Sequence, residues 1–295
     1  MSWIVRNIRN CGPPPGNHEC EYYPSLPPHG SSPESWVPKS ILSVTGLPPK
    51  AGPDVIRIVI ISDTHELHEQ MKIPSGDVLI HAGDILFADR FAFRWLSNYR
   101  LRNFFKWVNA QPHRHKVVIA GNHDKQILDL GSAAVKKMAV PAIYAENELI
   151  VLHIPKDDPS GSGAVFGPTQ ELRILASPWS VANSHRSPNL AFQSPSLSSE
   201  TLSLVSNSSG GARQSVSKPD IFLCHQGSCC VELARLIQLI QPRVCHIGGH
   251  VHEGHGVTTI EGVPSINGSM MTGSYTKEKL LRPIVVDIVI PPRSS

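Results

Sequence analysis

Five apolar runs in this 295-residue chain each stop at a side chain suited to metal or acid–base chemistry. Residues 56–61 run into Asp63-Thr64-His65, and residues 78–81 into Gly83-Asp84. Residues 117–120 end in Gly121-Asn122-His123, residues 221–224 in His225, and residues 244–247 in Gly249-His250-Val251-His252. A continuous apolar run is how a strand buried on both faces reads, and open α/β sheets bind ligands at the carboxyl ends of such strands. Asp63 and His65 stand at i and i+2, so an extended chain would point both the same way.

The side chains gathered at these ends are Asp63, His65, Asp84, Asn122, His123, His225, His250 and His252. Carboxylates, an amide oxygen and imidazoles suit Mn, Fe, Zn or Mg, and no thiolate stands among them except Cys224 beside His225. The set is too large for one tetrahedral ion. It suits two ions about 3.5–4 Å apart that share a carboxylate and a water, an arrangement that activates the water and binds phosphate oxygens. A histidine outside the metal shell can protonate a leaving alkoxide. The other histidines, among them His68, His113, His153 and His246, read as core or surface residues.

The rest of the chain frames these runs. Three proline clusters, at residues 13–15, 27–28 and 48–49, make residues 1–52 read as a Pro-rich disordered arm. The domain proper is then 53–295, interrupted by a Ser-rich mobile insertion at about 184–218 with few large apolar residues. Phe91, Trp95, Tyr99, Phe104 and Trp107 recur at helical spacing and predict a packed helix over 91–108. A second helix is predicted over 124–138, with Asn122 as its cap, and a third over 231–240. Further strands are predicted at 142–144, 148–153, 171–176, 258–260, 263–267 and 283–290. Strand and helix alternate early and strands dominate late, which is α/β with mixed sheets.

Composition excludes little else. A net charge of +3 does not suggest a nucleic-acid surface. No run of about 18 apolar residues exists, so no membrane span is expected. Residues 1–6 lack the apolar core of a signal peptide, and the six cysteines form no CxxC pair. Cytoplasmic residence and buried, reduced thiols are the corresponding expectations.

The motifs as a set resemble a known family. SDTH (62–65), GD (83–84), GNHD (121–124), His225 and GHVH (249–252) are similar to the calcineurin-like metallophosphoesterase pattern. GDVLIHAGD, VIAGNHD, SPW, CVEL and GHVHEGHG resemble its metallophosphoesterase-domain-containing branch, over about residues 55–290. The resemblance implies an α/β/β/α sandwich of two mixed β-sheets flanked by helices. It implies two divalent metal ions, Mn most of all, with Fe, Zn or Mg as alternatives. One would be held by Asp63, His65, Asp84 and His252, the other by Asp84, Asn122, His225 and His250. His123 would be the catalytic proton donor.

The implied function is hydrolysis of a small phosphoester, foremost a phosphodiester such as a cyclic nucleotide. A phosphomonoesterase with the same site, or a metal- or nucleotide-binding pseudoenzyme, is the alternative. Two departures bear on this. Protein phosphatases of the family carry a second Asp after the GD motif that orients the GNH histidine, and here that position is Phe87. The loop that normally separates the His225 motif from CVEL is absent.

Overall fold

The strand Val55–Ile61 is buried at every position, so both its faces must be covered by other elements. The computed structural model describes residues 18–26, 29–30, 39–87, 94–157, 169–182, 189–194, 197, 218–227, 230–272 and 280–293. Among them the strands run β1 (Glu19–Tyr23), β2 (Ser40–Ser43), β3 (Val55–Ile61), β4 (Val78–Ala82), β5 (His115–Ile119), β6 (Ile143–Tyr144) and β7 (Glu148–Pro155). They continue as β8 (Thr169–Ser177), β9 (Ile221–Gln226), β10 (Cys245–Gly249), β11 (Gly256–Ile260), β12 (Val263–Asn267) and β13 (Ile284–Val289). The helices are α1 (Arg94–Ala110), α2 (Lys125–Leu130), α3 (Ser132–Ala139) and α4 (Val231–Ile240).

Two mixed sheets result. One has the order β2-β1-β13-β3-β4-β5-β6, the other β11-β12-β10-β9-β8-β7. Strands β3 to β6 are parallel to one another, as are β8, β9, β10 and β12. Ile56, Ile58, Ile60, Ile80 and Val117 of the first sheet meet Ile150, Leu152, Ile174, Leu223 and Ile247 of the second in a continuous core. Helices α1 to α3 cover the outer face of the first sheet through Leu101, Phe104, Phe105 and Val135. Helix α4 covers the second through Leu233, Leu236, Ile237 and Ile240. This is the expected α/β/β/α sandwich. No helix among the described residues is long and apolar enough to cross a membrane.

Three expectations need correction. Residues 1–52 are not wholly an arm, because β1 and β2 extend the first sheet, β1 parallel to β13. Cys20, Tyr22 and Tyr23 are buried there, and the Tyr22 hydroxyl donates to Asp287 at 2.8 Å. Proline clusters flank these strands without entering them, so the ladder survives. The helix predicted over 124–138 is two helices, broken at Gly131, whose φ of +77° only glycine adopts readily. Within the Ser-rich segment, Ala191, Phe192 and Leu197 are buried, which an unpacked insertion would not allow; the remainder of 184–218, except Lys218 and residues 189–194, lies outside the described residues. In α1 the buried face is Leu101, Phe104, Phe105 and Val108, whereas Tyr99 is exposed. Phe91 lies outside the described residues, as does the side chain of Trp95.

Several buried histidines are held neutral. Burial pushes His68, packed against Phe104 and Trp107, down to about 4. Burial likewise pushes His81 and His246 down to about 3. An unfolded histidine titrates near 6.5, so below that pH the unfolded chain binds more protons and stability falls with pH. The thermal midpoint should therefore drop steadily from pH 6.5 to pH 4. His68→Leu should make the drop shallower, and an unchanged slope in that variant would show that His68 does not contribute to it.

Candidate metal centre

The sequence-predicted residues converge where the parallel strands of both sheets end. Strands β3, β4 and β5 deliver Asp63 and His65, Asp84, and Asn122 and His123 from one sheet; β9 and β10 deliver His225, His250 and His252 from the other. The geometry of delivery differs from an extended chain. β3 stops at Ile61, and Asp63 and His65 have φ of +53° and +41°. Asp84 and His250 are also left-handed, at +56° and +66°. Each such residue costs on the order of 1–3 kcal/mol and persists where surrounding structure imposes it. The turns, not a shared strand face, bring these side chains together.

Three overlapping groups of ligand atoms, each mutually within 4.8 Å, could hold a cation: Asp63, His65 and His252; His65, Asp84 and His123; and Asp84, His225 and His250. Asp84 joins them. Its Oδ2 lies 3.9 Å from His65 Nε2, and its Oδ1 lies 3.4 Å from His225 Nε2. His252 Nε2 is 3.4 Å from Asp63 Oδ1. Asn122 Oδ1 is 2.7 Å from His250 Nδ1 and 3.2 Å from His225 Nε2. Asn122 is therefore not the cap of α2, which begins after Asp124; its amide oxygen faces the histidines.

The second nitrogen of three rings is tied to a backbone carbonyl. His65 Nδ1 donates to Leu86 O at 3.1 Å, His225 Nδ1 to Ala82 O at 2.7 Å, and His250 Nε2 to Val181 O at 2.8 Å. That fixes each ring with its other nitrogen turned into the cluster, the arrangement metal-bound histidines use. Space is shaped too: a Cβ at Gly121 would run into Asp84 Oδ1, so the chain here must be glycine. The donor set and the cradle fit divalent cations. Cys224 does not join them. Its Sγ donates to Trp179 O, and burial pushes its thiol up to about 12.

Electrostatics reflect two buried carboxylates among imidazoles. Burial raises both Asp63 and Asp84, but the histidines outweigh it. The His252 hydrogen bond and the His225 charge hold Asp63 low, and the His225 and His123 charges hold Asp84 well below the usual range. Burial lowers His65 and His250 to about 4. His225 goes the other way. Burial opposes its charge, yet the Asp84 carboxylate lifts it to about 9.

Two residues outside the expected set shape the site. Asp124 is fully buried, and its carboxylate accepts from the backbone N–H of Gly121, Ile85 and Leu86, tying the loop after β5 to the loop after β4. Burial, then the Asp84 charge, push it up to about 7. Its place in the GNHD motif was the available signal. Asn189, whose side chain lies 2.8 Å from His123 Nε2, had none, because it sits in the Ser-rich stretch.

Comparison with known proteins follows the same residues. The family model for calcineurin-like phosphoesterases matches residues 56–254, a span that holds every strand end described above. The chain belongs to the calcineurin-like phosphoesterase family. Similar to it are the UPF0046 protein C25E10.12 of Caenorhabditis elegans, 30% identical over 80% of this chain and 82% of that one. Human metallophosphoesterase domain-containing protein 1 is 28% identical over 82% of this chain and 74% of its own length. A probable rhamnogalacturonate lyase C of Emericella nidulans is 29% identical over 72% of this chain, but the chain spans only 18% of that protein. The matches to the worm and human proteins place the chain with the metallophosphoesterase-domain-containing branch. The family is one of metal-dependent phosphoester hydrolases, and membership supports that class of activity for this chain.

A cation entering between Asp84, His225 and His250 must displace the His225 proton. Loading at pH 7 should therefore release about one proton from that ring, and affinity should climb with pH up to about 9, by at most about tenfold per unit. Calorimetry in two buffers of different ionisation enthalpy reads the release directly. Binding with no proton release would refute the Asp84–His225 pairing.

Proposed function

We propose that this chain hydrolyses phosphodiesters with a pair of divalent cations, Mn2+ foremost. Asp63, His65, Asp84 and His252 would hold one cation, and Asp84, Asn122, His225 and His250 the other. The observation that supports this best is the single Asp84 carboxylate, whose two oxygens face different histidines, His65 and His225. When bound, the two cations supply a water of lowered pKa and positive charge for the non-bridging phosphate oxygens. All donors are nitrogen or oxygen, which suits Mn, Fe, Zn or Mg.

The chain's own residues supply the remainder. Asp84 Oδ1 accepts from the His123 backbone N–H at 2.8 Å, so the loop carrying His123 is registered on the shared carboxylate. The His123 ring packs 4.5 Å from that of His65, centroid to centroid, and Nε2 lies 3.9 Å from Asp84 Oδ2. From there it can reach an oxygen of a phosphate seated on the centre. Water that has given a proton to solvent attacks phosphorus, the ester P–O bond breaks, and the departing alkoxide takes its proton from His123, which solvent then reprotonates. Phe87, 43% exposed, stands with its ring 6.2 Å from His65 and 6.4 Å from His123. An aromatic edge there suits a flat aryl or nucleobase substituent, which favours a nucleotide-like substrate.

Chelated protein reconstituted with Mn2+ should cleave bis-p-nitrophenyl phosphate faster than p-nitrophenyl phosphate, and Asp63→Ala should abolish both. Faster monoester cleavage would replace this reading with a phosphomonoesterase, and no turnover with two ions bound would make the chain a binding protein.

His123→Ala should keep two ions per chain while lowering turnover by about 10²–10⁴. The loss should shrink for good leaving groups such as nitrophenolate. Equal losses on good and poor leaving groups would remove His123 as the proton donor.

A further inference from the structure

Three histidines of the centre lean on backbone carbonyls, and those carbonyls are fixed in different ways. Ala82 lies within β4, where the ladder to β5 holds it. Leu86 lies beyond the strand. The buried Asp124 carboxylate accepts from its N–H at 2.9 Å, and its carbonyl accepts from His65 Nδ1 at 3.1 Å. Val181 also lies beyond a strand, since β8 ends at Ser177. Gln226 Oε1 accepts from its N–H at 2.8 Å, and its carbonyl accepts from His250 Nε2 at 2.8 Å. Each sheet thus carries the same device. A buried side-chain oxygen takes the N–H of a loop residue, and the carbonyl of that residue takes a histidine N–H.

Alternation along β9 puts Gln226 where it can do this. Leu223 packs between the sheets and Cys224 in the layer beneath α4, so His225 points into the seam and Gln226 away from it. Gln226 is 3% exposed, and its Nε2 donates to Gly227 O at 3.3 Å. The segment after β8 is tied down by its backbone first. Gln226 N and Cys224 Sγ both donate to Trp179 O, and Ser180 N donates to Phe192 O. Beyond those ties, Val181 is held by Gln226 at its N–H and by His250 at its carbonyl.

We propose that Gln226 is the positioning residue for His250, deciding which of its ring nitrogens faces the cations. A neutral imidazole carries one N–H. Two oxygens compete for it: Val181 O on the Nε2 side, and Asn122 Oδ1 at 2.7 Å from Nδ1 on the other. With the proton on Nε2, the Nδ1 lone pair is open to a cation shared with Asn122 Oδ1. With the proton on Nδ1, that position is closed. A Val181 carbonyl held in place selects the open form. An amide does this without adding charge beneath two buried carboxylates.

This role rests on the two-cation reading, and the test separates the two claims. Gln226→Met keeps the length of the side chain and removes both polar atoms. Gln226→Asn keeps an amide too short to reach Val181 N. Gln226→Glu keeps the accepting oxygen and, as the buried acid, a donor for Gly227 O. In metal-free protein, long-range proton–nitrogen correlation NMR of the His250 ring should show Nε2–H in the wild type and in Gln226→Glu. Gln226→Met and Gln226→Asn should lose that single form. Calorimetric titration with Mn2+ should find one of the two ions bound about ten- to a hundredfold more weakly in those two variants. The other ion should bind as in the wild type, and Gln226→Glu should hold both.

Nε2–H retained in Gln226→Met and Gln226→Asn would overturn the proposal. So would equal weakening of both ions, which marks a general loosening, or a Gln226→Glu that loses as much as Gln226→Met. If the wild type takes two ions and the variants take both as tightly, the positioning role alone is wrong. If the wild type takes fewer than two, the two-cation reading falls and this role falls with it.

Discussion

Asp63 and Asp84 are 0% and 1% exposed in the seam between two apolar sheets, and everything else at that end of the molecule answers to them. A carboxylate taken out of water costs several kcal/mol unless positive charge or hydrogen bonds replace the lost solvent. Here the replacement is a ring of histidines. Asp63 accepts from the His250 backbone N–H and faces His252; Asp84 accepts from His123 N and faces His225. Protonated imidazole can supply the charge, as the raised His225 shows, and so can divalent cations. The two compete for the same nitrogen lone pairs. Metal affinity in this chain is thereby bound up with its protonation, and the site is stable with either partner and unstable with neither.

The metal-type residues were legible because strand burial and ligand chemistry leave separate marks on a sequence. An apolar run such as 56–61 has no business ending in Asp-Thr-His unless the end is used, and five such ends in order leave few alternatives. What could not be read was how the chain turns there. The left-handed φ of Asp63, His65, Asp84 and His250 follows from tertiary contacts. So does the role of Leu86, Ala82 and Val181, which enter through carbonyl oxygens that every residue has. Asn189 was hidden for a different reason. Ser and Pro stand before it, and the buried residues that follow among those described, Ala191, Phe192 and Leu197, are too scattered to signal an element.

The fold was legible at the level of layers and less so at its edges. Buried central strands and the α4 face have strong patterns. β1 and β2 do not, because proline clusters around them dominate any reading of composition. Their pairing is set from afar, by Tyr22 and the Arg57–Asp287 pair, residues 35 and 265 positions from Tyr22 in sequence but in contact with it: the Arg57 guanidinium bonds both Asp287 oxygens at 2.8 and 2.7 Å and lies 5.4 Å over the Tyr22 ring, and the Tyr22 hydroxyl donates to Asp287. Such long-range partners are invisible to a window of neighbouring residues.

Buried carboxylates at the two ends of the sandwich are neutralised in different ways. At the N-terminal side of the parallel strands, buried carboxylates meet arginines that never lose their charge: Asp287 with Arg57, and Asp220 with Arg243 and Arg293, each at 2.7 Å. At the opposite side Asp63 and Asp84 face histidines, whose charge is conditional. One end of the two-sheet seam carries charge pairs that pH does not undo, and the other carries pairs that it can. The Asp84–His225 contact joins a strand of each sheet, so its 3.4 Å spacing ties the closeness of the two sheets at that end to the charge on one imidazole.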